Sequence, residues 1–304
     1  MAGRRLSPSA EVQVQIGERA LKLSNLDKVL WPETGFSKGQ LIDYYARIAP
    51  VMLPHLAGRP ITLRRYPNGV DGPSFFEKNC PSHRPGWVPT VKMGDVSFCL
   101  LEEPAALVWV ANLAAMELHP SLATRADLER PTAIVFDLDP GPGADVVTCC
   151  RVALLLRDAL EALSLTSLVK TSGSKGLQLY VPLNTEVSYQ ETRRFSLALA
   201  QVLERSHPEL VVTTQDKSVR PHKVLIDWSQ NSSFKTTVAV YSVRARPRPT
   251  VSTPVTWDEV ESAERSGDRA DLVFEAPEVL DRVERRGDLM APVLTTEQEL
   301  PQLG

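Results

Sequence analysis

The chain has 304 residues, about twice the usual span of one domain, so one large domain or two closely packed ones fit, and a short peptide or extended repeat array is excluded. Hydrophobic residues make up 43% and charged residues 23%, a globular composition that confines disorder to the ends. The net charge of −3 conceals a gradient: residues 1–67 carry 10 basic and 5 acidic side chains, residues 68–256 carry 19 of each, and residues 257–304 carry 5 and 13. An acidic total therefore does not exclude a polyanionic partner, which the basic N-terminal third suits.

No stretch reaches the roughly 18 apolar residues needed to cross a bilayer, and the start lacks the apolar segment of a signal peptide. The sequence predicts a cytoplasmic protein with no membrane partner. Cys80, Cys99, Cys149 and Cys150 form no CxxC pair and stand apart from paired histidines, so all four read as buried thiols rather than zinc ligands.

In chain order, residues 11–25 alternate as two short strands around a Gly17 turn. A loop with Pro32 and Gly35 leads to a helix capped by Ser37, which Pro50 and Pro54 should bend or end. Residues 59–70 read as a strand closing in an Asn68-Gly69 turn. The stretch Phe75–Pro89, with prolines at 81, 85 and 89, reads as an ordered loop. Residues 101–118 are rich in Ala and Leu and read as a helix. An apolar strand over 133–139 runs into a Pro-Gly loop, and 146–163 form an amphipathic helix. Residues 167–183 read as two strands joined through GSKG, 189–210 as a helix, and 223–228 and 236–244 as strands. Strand, helix, hairpin, helix, strand, strand predicts an α+β fold, a palm-like mixed or antiparallel sheet backed by helices.

Asp137 and Asp139 lie two apart at the end of a strand, so both carboxylates share one face. Carboxylates that close repel each other; burial protonates one, whereas a divalent cation keeps both ionised. Asp227 also follows an apolar strand, and three acids on strand ends suit two-metal phosphoryl transfer. The bland reading of a DxD is a solvated strand end. The GSKG turn offers backbone N–H groups to phosphate oxygens, with Lys175 as an added charge, although such a turn also serves as an ordinary hairpin. Phe75 and Phe76 follow the basic segment containing Arg64 and Arg65; one ring offers a face for a base to stack on, or the pair staples the loop. Arg220, Lys223, Lys235, Arg244 and Arg246 supply further cations.

The strings LSNLDKVLWPETGFSK, RPITLRRYPNG, FFEK, ELHP, FDLDPGPG, SGSKGLQLYVPL and LIDWSQN followed by KTTVAVYSVRAR occur together in one order. Over nearly its full length the chain resembles the polymerase domain of bacterial ATP-dependent DNA ligase D, of the archaeo-eukaryotic primase superfamily. The resemblance implies a primase-polymerase fold with an intimately packed N-terminal α/β module. It assigns Asp137, Asp139 and Asp227 to catalytic metals, two manganese or magnesium ions. It places His119, Ser172, Lys175, Gln178, Gln230 and Arg244 around the incoming nucleotide, and Asn25, Lys28 and Lys38 around a DNA 5′-phosphate. Phe75 and Phe76 match aromatics that stack on template DNA, beside Arg64 and Arg65. The implied activity is template-directed nucleotidyl transfer from NTPs or dNTPs, with ribonucleotides preferred, to primer 3′ ends at gaps and breaks. The implied setting is end joining at the bacterial nucleoid, beside Ku and an ATP-dependent ligase.

One position departs: the family string reads SGSKGLH, and Gln178 replaces its histidine. Glutamine still donates an N–H but cannot carry a positive charge. A non-catalytic DNA-end-binding factor with impaired polymerisation is therefore an alternative, opposed by the retention of all three acids. A haloacid-dehalogenase-like phosphatase also opens with an apolar strand and DxD, but Pro140 and Gly141 replace the Thr or Val that chemistry needs. The expected organisation is a primase-polymerase domain over 1–290, made of an end-binding module to about 120, a catalytic palm over 121–255 and an acidic segment over 256–290, then a tail or linker over 291–304.

Overall fold

The computed structural model describes residues 11–301; the leader before them and the last three residues of the expected tail lie outside the described residues. β1 (Val12–Ile16) and β2 (Arg19–Leu23) form the expected hairpin about Gly17. The expected loop that follows contains a small hairpin of β3 (Val29–Trp31) and β4 (Phe36–Ser37). Helix α1 (Lys38–Leu56) begins where Ser37 Oγ accepts the Gln40 N–H and the Gln40 side chain returns to the Ser37 N–H, a capping box. It runs through both Pro50 and Pro54 and stops at Leu56.

A second sheet centres on β5 (Ile61–Arg65). It pairs antiparallel with β6 (Phe75–Glu77), so the first residues of the expected Phe75–Pro89 loop are a strand. The hairpin β7 (Thr90–Met93) and β8 (Val96–Cys99) joins it at Ile61. Cys80 and Cys99 are disulfide-bonded, which corrects the expectation of four thiols; Cys149 and Cys150 are free and buried. Spacing of 19 residues in sequence hides that pair, because strand pairing brings the cysteines together. The long helix expected over 101–118 divides into α2 (Pro104–Asn112) and strand β9 (Ala115–Pro120), which pairs with β5. Ala114 at φ +56° breaks the helix. The run after it is almost wholly buried, so it lacks the alternation that marks a half-exposed strand.

After the small hairpin of β10 (Ala123–Thr124) and β11 (Asp127–Pro131), the palm comprises β12 (Ala133–Pro140), α3 (Val146–Glu161), β13 (Leu168–Thr171), β14 (Leu177–Pro182), α4 (Tyr189–Ser206), β15 (Val211–Val212), β16 (Val224–Asp227) and β17 (Pro254–Val255). Its strand order is β15-β16-β12-β14-β13-β17, antiparallel except for β15 with β16, the mixed sheet expected. Residues 236–244 form no strand. They follow β9 through bonds from Thr237 N–H to Pro120 O and Ala239 N–H to Leu118 O, and then turn at Tyr241, φ +66°. Helices α5 (Trp257–Ser266) and α6 (Ala276–Arg286) carry the acidic segment. Residues 293–298 pack back on the palm: Asn184 Nδ2 donates to the Val293 and Thr296 carbonyls, and Gln298 Nε2 to Thr166 and Pro182. Among the described residues no helix is long and apolar enough to cross a membrane.

The two-residue period of β12 divides the interior. Ile134, Phe136 and Leu138 face a core shared with Leu156 of α3 and Phe195 of α4. Ala133 and Val135 face a second core with Tyr45 of α1 and Trp109 of α2. Asp137 and Asp139 continue the second series, so the acids emerge at the seam between the two cores. Gly176 ends the GSKG turn because the β12 backbone lies against it: a Cβ there would collide with the Leu138 carbonyl oxygen.

Candidate functional site

Strand register builds the site. Asp137 lies opposite Asp227 in β16 and opposite Gln178 in β14, and Gln178 lies opposite Lys170 in β13. Directly paired residues share a sheet face, so Lys170, Gln178, Asp137 and Asp227 form one transverse row across four strands. Asp139 stands two residues beyond Asp137 on the same face. Burial, reinforced by the Asp139 carboxylate, pushes the Asp137 carboxyl up to about 7; burial likewise raises Asp139, against the opposing pull of Arg220. A carboxyl pair that binds a proton so readily has the charge and hard oxygen donors that a divalent cation takes. Asp227 is turned away into its own turn, where Oδ1 accepts from Ser229 N–H and Oγ at 2.9 and 2.6 Å and Oδ2 accepts from Gln230 Nε2 at 3.0 Å. Consistent with that, among the described residues no three His, Cys, Asp or Glu side chains stand together as ligands. Asn231 anchors this turn by exchanging hydrogen bonds with both backbone groups of Val135, at 2.9 and 2.8 Å, where β16 no longer pairs.

A cavity of about 430 Å³ opens over the row, lined by Asp137, Asp139, Gln178, Gln230, Ser172 and Arg244 from the palm side. The second sheet closes it. Arg64 pairs with Phe76 and with Glu117, and Thr62 with His119, which places Phe76, Glu117 and His119 on one face. Phe76 and His119 line the cavity with ring centroids 5.8 Å apart, and the Arg64 guanidinium lies 5.0 Å from the Phe76 centroid. Phe75 points to the opposite face, against Arg65, whose guanidinium is held by Glu77 at 3.0 Å and the Leu113 carbonyl.

Glu117 organises this wall. Burial alone would raise its carboxyl pKa, but the His119 N–H, the Arg244 guanidinium and the Ala245 N–H hold it well below the usual range. Its oxygens lie 3.0 Å from His119 Nε2, 3.4 Å from Arg244 Nε and 3.5 Å from an Arg64 nitrogen. Burial, helped by the two arginines, lowers the His119 pKa against the pull of Glu117. With Nε2–H donating to Glu117, Nδ1 is left as an acceptor.

In the GSKG turn the Ser174 and Gly176 N–H groups donate to Ser172 Oγ at 3.2 and 3.1 Å, so these two amides are spent inside the turn rather than offered to a ligand. With both lone pairs engaged, the Ser172 hydroxyl hydrogen is the one left to donate. Arg244 is fixed by donating to the Ser172 carbonyl. Lys175 is exposed and lines a separate small cleft with Thr250 and Phe274, outside the main cavity.

A second polar cluster lies in the N-terminal module. The Lys28 N–H donates to Asn25 O and the Lys38 N–H to Lys28 O, which gathers all three residues at the start of α1. Lys28 Nζ donates to the Pro67 carbonyl at 2.6 Å and Asn68 Oδ1 at 3.2 Å, and Lys38 Nζ to the Ser24 carbonyl at 2.6 Å. Burial, with the neighbouring Lys28 charge, pushes Lys38 down to about 8. Two lysine side chains thus meet at the N-terminus of α1.

Sequence reasoning missed Lys170, Glu117 and Phe234. Lys170 is fully buried and Phe234, 75% exposed, lines the cavity. The hairpin register, countable from the GSKG turn, carried the signal for Lys170; Glu117 was hidden by reading its strand as helix.

The chain matches the family model for the LigD primase-polymerase domain over residues 37–290. It is 44% identical over 279 residues to the multifunctional non-homologous end joining protein LigD of Mycolicibacterium smegmatis, covering 90% of this chain and 36% of that protein. Against the bifunctional non-homologous end joining protein LigD of Bacillus subtilis it is 33% identical, covering 88% and 43%. The chain thus spans well under half the length of these curated relatives. A solved structure, the polymerase domain from Mycobacterium tuberculosis Ligase D in complex with DNA, superposes with a TM-score of 0.82 at 41% identity, covering 90% of this chain and 98% of that one. With family model, relatives and superposed fold in agreement, the chain belongs to the family of LigD primase-polymerase domains and is a nucleotidyltransferase of that class.

Proposed function

We propose that this chain adds nucleotides, with ribonucleotides preferred, to primer 3′ ends at gaps and breaks during non-homologous end joining. The observation that carries the reading is the cavity in which the Asp137–Asp139 pair faces Ser172, Gln178 and Arg244, acids beside anion-binding donors in a volume that suits a nucleotide. Asp137 and Asp139 would hold divalent cations, manganese or magnesium, with Asp227 joining once its carboxylate leaves Ser229 and Gln230. Such ions supply Lewis-acid activation of a hydroxyl and neutralise developing phosphate charge.

The remaining work falls to this chain's own side chains. Arg244 and the Ser172 hydroxyl hold phosphate oxygens, Gln230 donates a side-chain N–H, Gln178 lines the same wall with its N–H₂ group on Thr237 and toward Asp137, and His119 offers Nδ1 to a sugar hydroxyl. Lys175 reaches the triphosphate only if the GSKG loop moves. Phe76 provides a stacking face for template, with Arg64 behind its ring; Phe75 and Arg65 serve the outer face of the same strands. Asn25, Lys28 and Lys38 hold the 5′-phosphate on the far side of the gap. The primer 3′-hydroxyl attacks the α-phosphate in line and pyrophosphate leaves.

In this reading residues 1–120 hold the DNA end, 121–255 carry out transfer, and 256–290 complete one primase-polymerase unit beside Ku and a ligase in the bacterial cytoplasm. Primer extension on a 5′-phosphorylated gap, with NTPs against dNTPs and manganese against magnesium, tests it. Metal-dependent extension favouring NTPs is expected, and no extension under any of these conditions would refute it.

A further inference from the structure

The row Lys170–Gln178–Asp137 has a polarity that the reaction scheme above leaves unused. Lys170 is fully buried, and an ionisable amine there is costly unless its hydrogens are placed. Its Nζ donates to Gln178 Oε1 at 2.6 Å and to Ser252 Oγ at 2.5 Å, and the Tyr180 ring centroid lies 5.7 Å away. Ser252 Oγ passes its own hydrogen to the Thr171 carbonyl at 2.9 Å, which leaves it only the role of acceptor toward Lys170. On the other side of the row, Gln178 Nε2 donates to Thr237 Oγ1 at 3.0 Å, and Asp137 stands directly opposite Gln178 in the strand register.

We propose that Lys170 is a positioning residue for nucleotidyl transfer, acting through Gln178 to hold the amide with its carbonyl toward Nζ and its N–H₂ group toward Asp137. With Lys170 as an ammonium, which has no acceptor, and Asp137 as an ionised carboxylate, a flipped amide would set N–H against N–H at Lys170 and Oε1 against the carboxylate, and both contacts would become repulsive. The two ends of the row therefore select one orientation. As an ammonium Lys170 offers Gln178 hydrogens only, and the charged groups around it are Arg244 and Asp137. The consequence is specific to this chain: residue 178 is an uncharged donor with a fixed direction. A histidine there would have to accept from Lys170 with one ring nitrogen, which disfavours its imidazolium.

The inference rests on the proposed polymerase reading, and the experiment separates the two. Primer extension by the full chain is measured against nucleotide concentration for the unmodified protein, Lys170→Met, Gln178→Met and the double variant. Each single change should lower kcat about tenfold by loosening a hydrogen bond to a charged group, with a smaller change in KM. The double variant should cost no more than Gln178→Met alone, because Lys170 acts only through that side chain. Losses that multiply would overturn the inference while leaving the polymerase reading intact; absence of extension by the unmodified protein would overturn both. If Lys170→Met fails to fold, Gln178→Leu decides, since it removes the amide that Lys170 is proposed to orient without adding a charge beside Asp137. A drop in kcat of about tenfold or more supports the assignment, and an unchanged kcat overturns it.

Discussion

The palm and the N-terminal module bury opposite charges. In the palm, Asp137 and Asp139 crowd one sheet face and burial drives their pKa values up; in the module, Lys38 and Lys28 crowd one helix start and burial drives Lys38 down. Each region disfavours its own ionised form until a ligand of the other sign arrives. Under the proposed function the palm would take cations and the module an anion.

The comparison is broken most severely at the palm. Asp139→Ala removes half of the cavity-facing acid pair and should lower extension by roughly a hundred- to a thousandfold, while DNA affinity in anisotropy titrations stays within about twofold because the module is untouched. Matched extension rates for the two proteins would end the assignment of the acids. On the other side, Lys28→Ala with Lys38→Ala should abolish the preference for phosphorylated over unphosphorylated gaps, about tenfold in affinity, and flatten the salt dependence of binding by roughly one to two units of log–log slope. Extension of an ungapped primer-template should persist in that variant, which sharpens the division of labour.

The smallest expected effect is a pH dependence confined to the module. Lys38 has its pKa depressed to about 8, so its ammonium is present below that pH and lost as pH rises through it. The preference for a 5′-phosphate should therefore decline a few-fold between about pH 7 and 9, with the midpoint displaced upward when phosphate is bound, because the anion favours the charged lysine. Lys38→Arg, which stays charged over this range, should remove the decline. A flat profile in the unmodified protein would show that Lys38 does not meet the phosphate.

Local pattern was enough for the parts of this protein that are written in short-range chemistry. The alternation in 133–139 placed Asp137 and Asp139 on one face, and the Ser37 cap and the amphipathic runs of α3 and α4 stood out because capping and helical periodicity need only neighbours three or four residues apart. The quoted strings likewise sufficed to identify the family. What only the tertiary structure decided was nonlocal. Ala115–Pro120 became a strand because β5 was there to pair with it, residues 236–244 failed to become one because the chain turns at Tyr241, and Cys80 met Cys99 where the loop after β6 lies against β8. The site shows the same division: the acids were legible one strand at a time, whereas the row from Lys170 through Gln178 to Asp137 exists only once three strands are in register, since a hydrogen bond between side chains on different strands leaves no period in either of them.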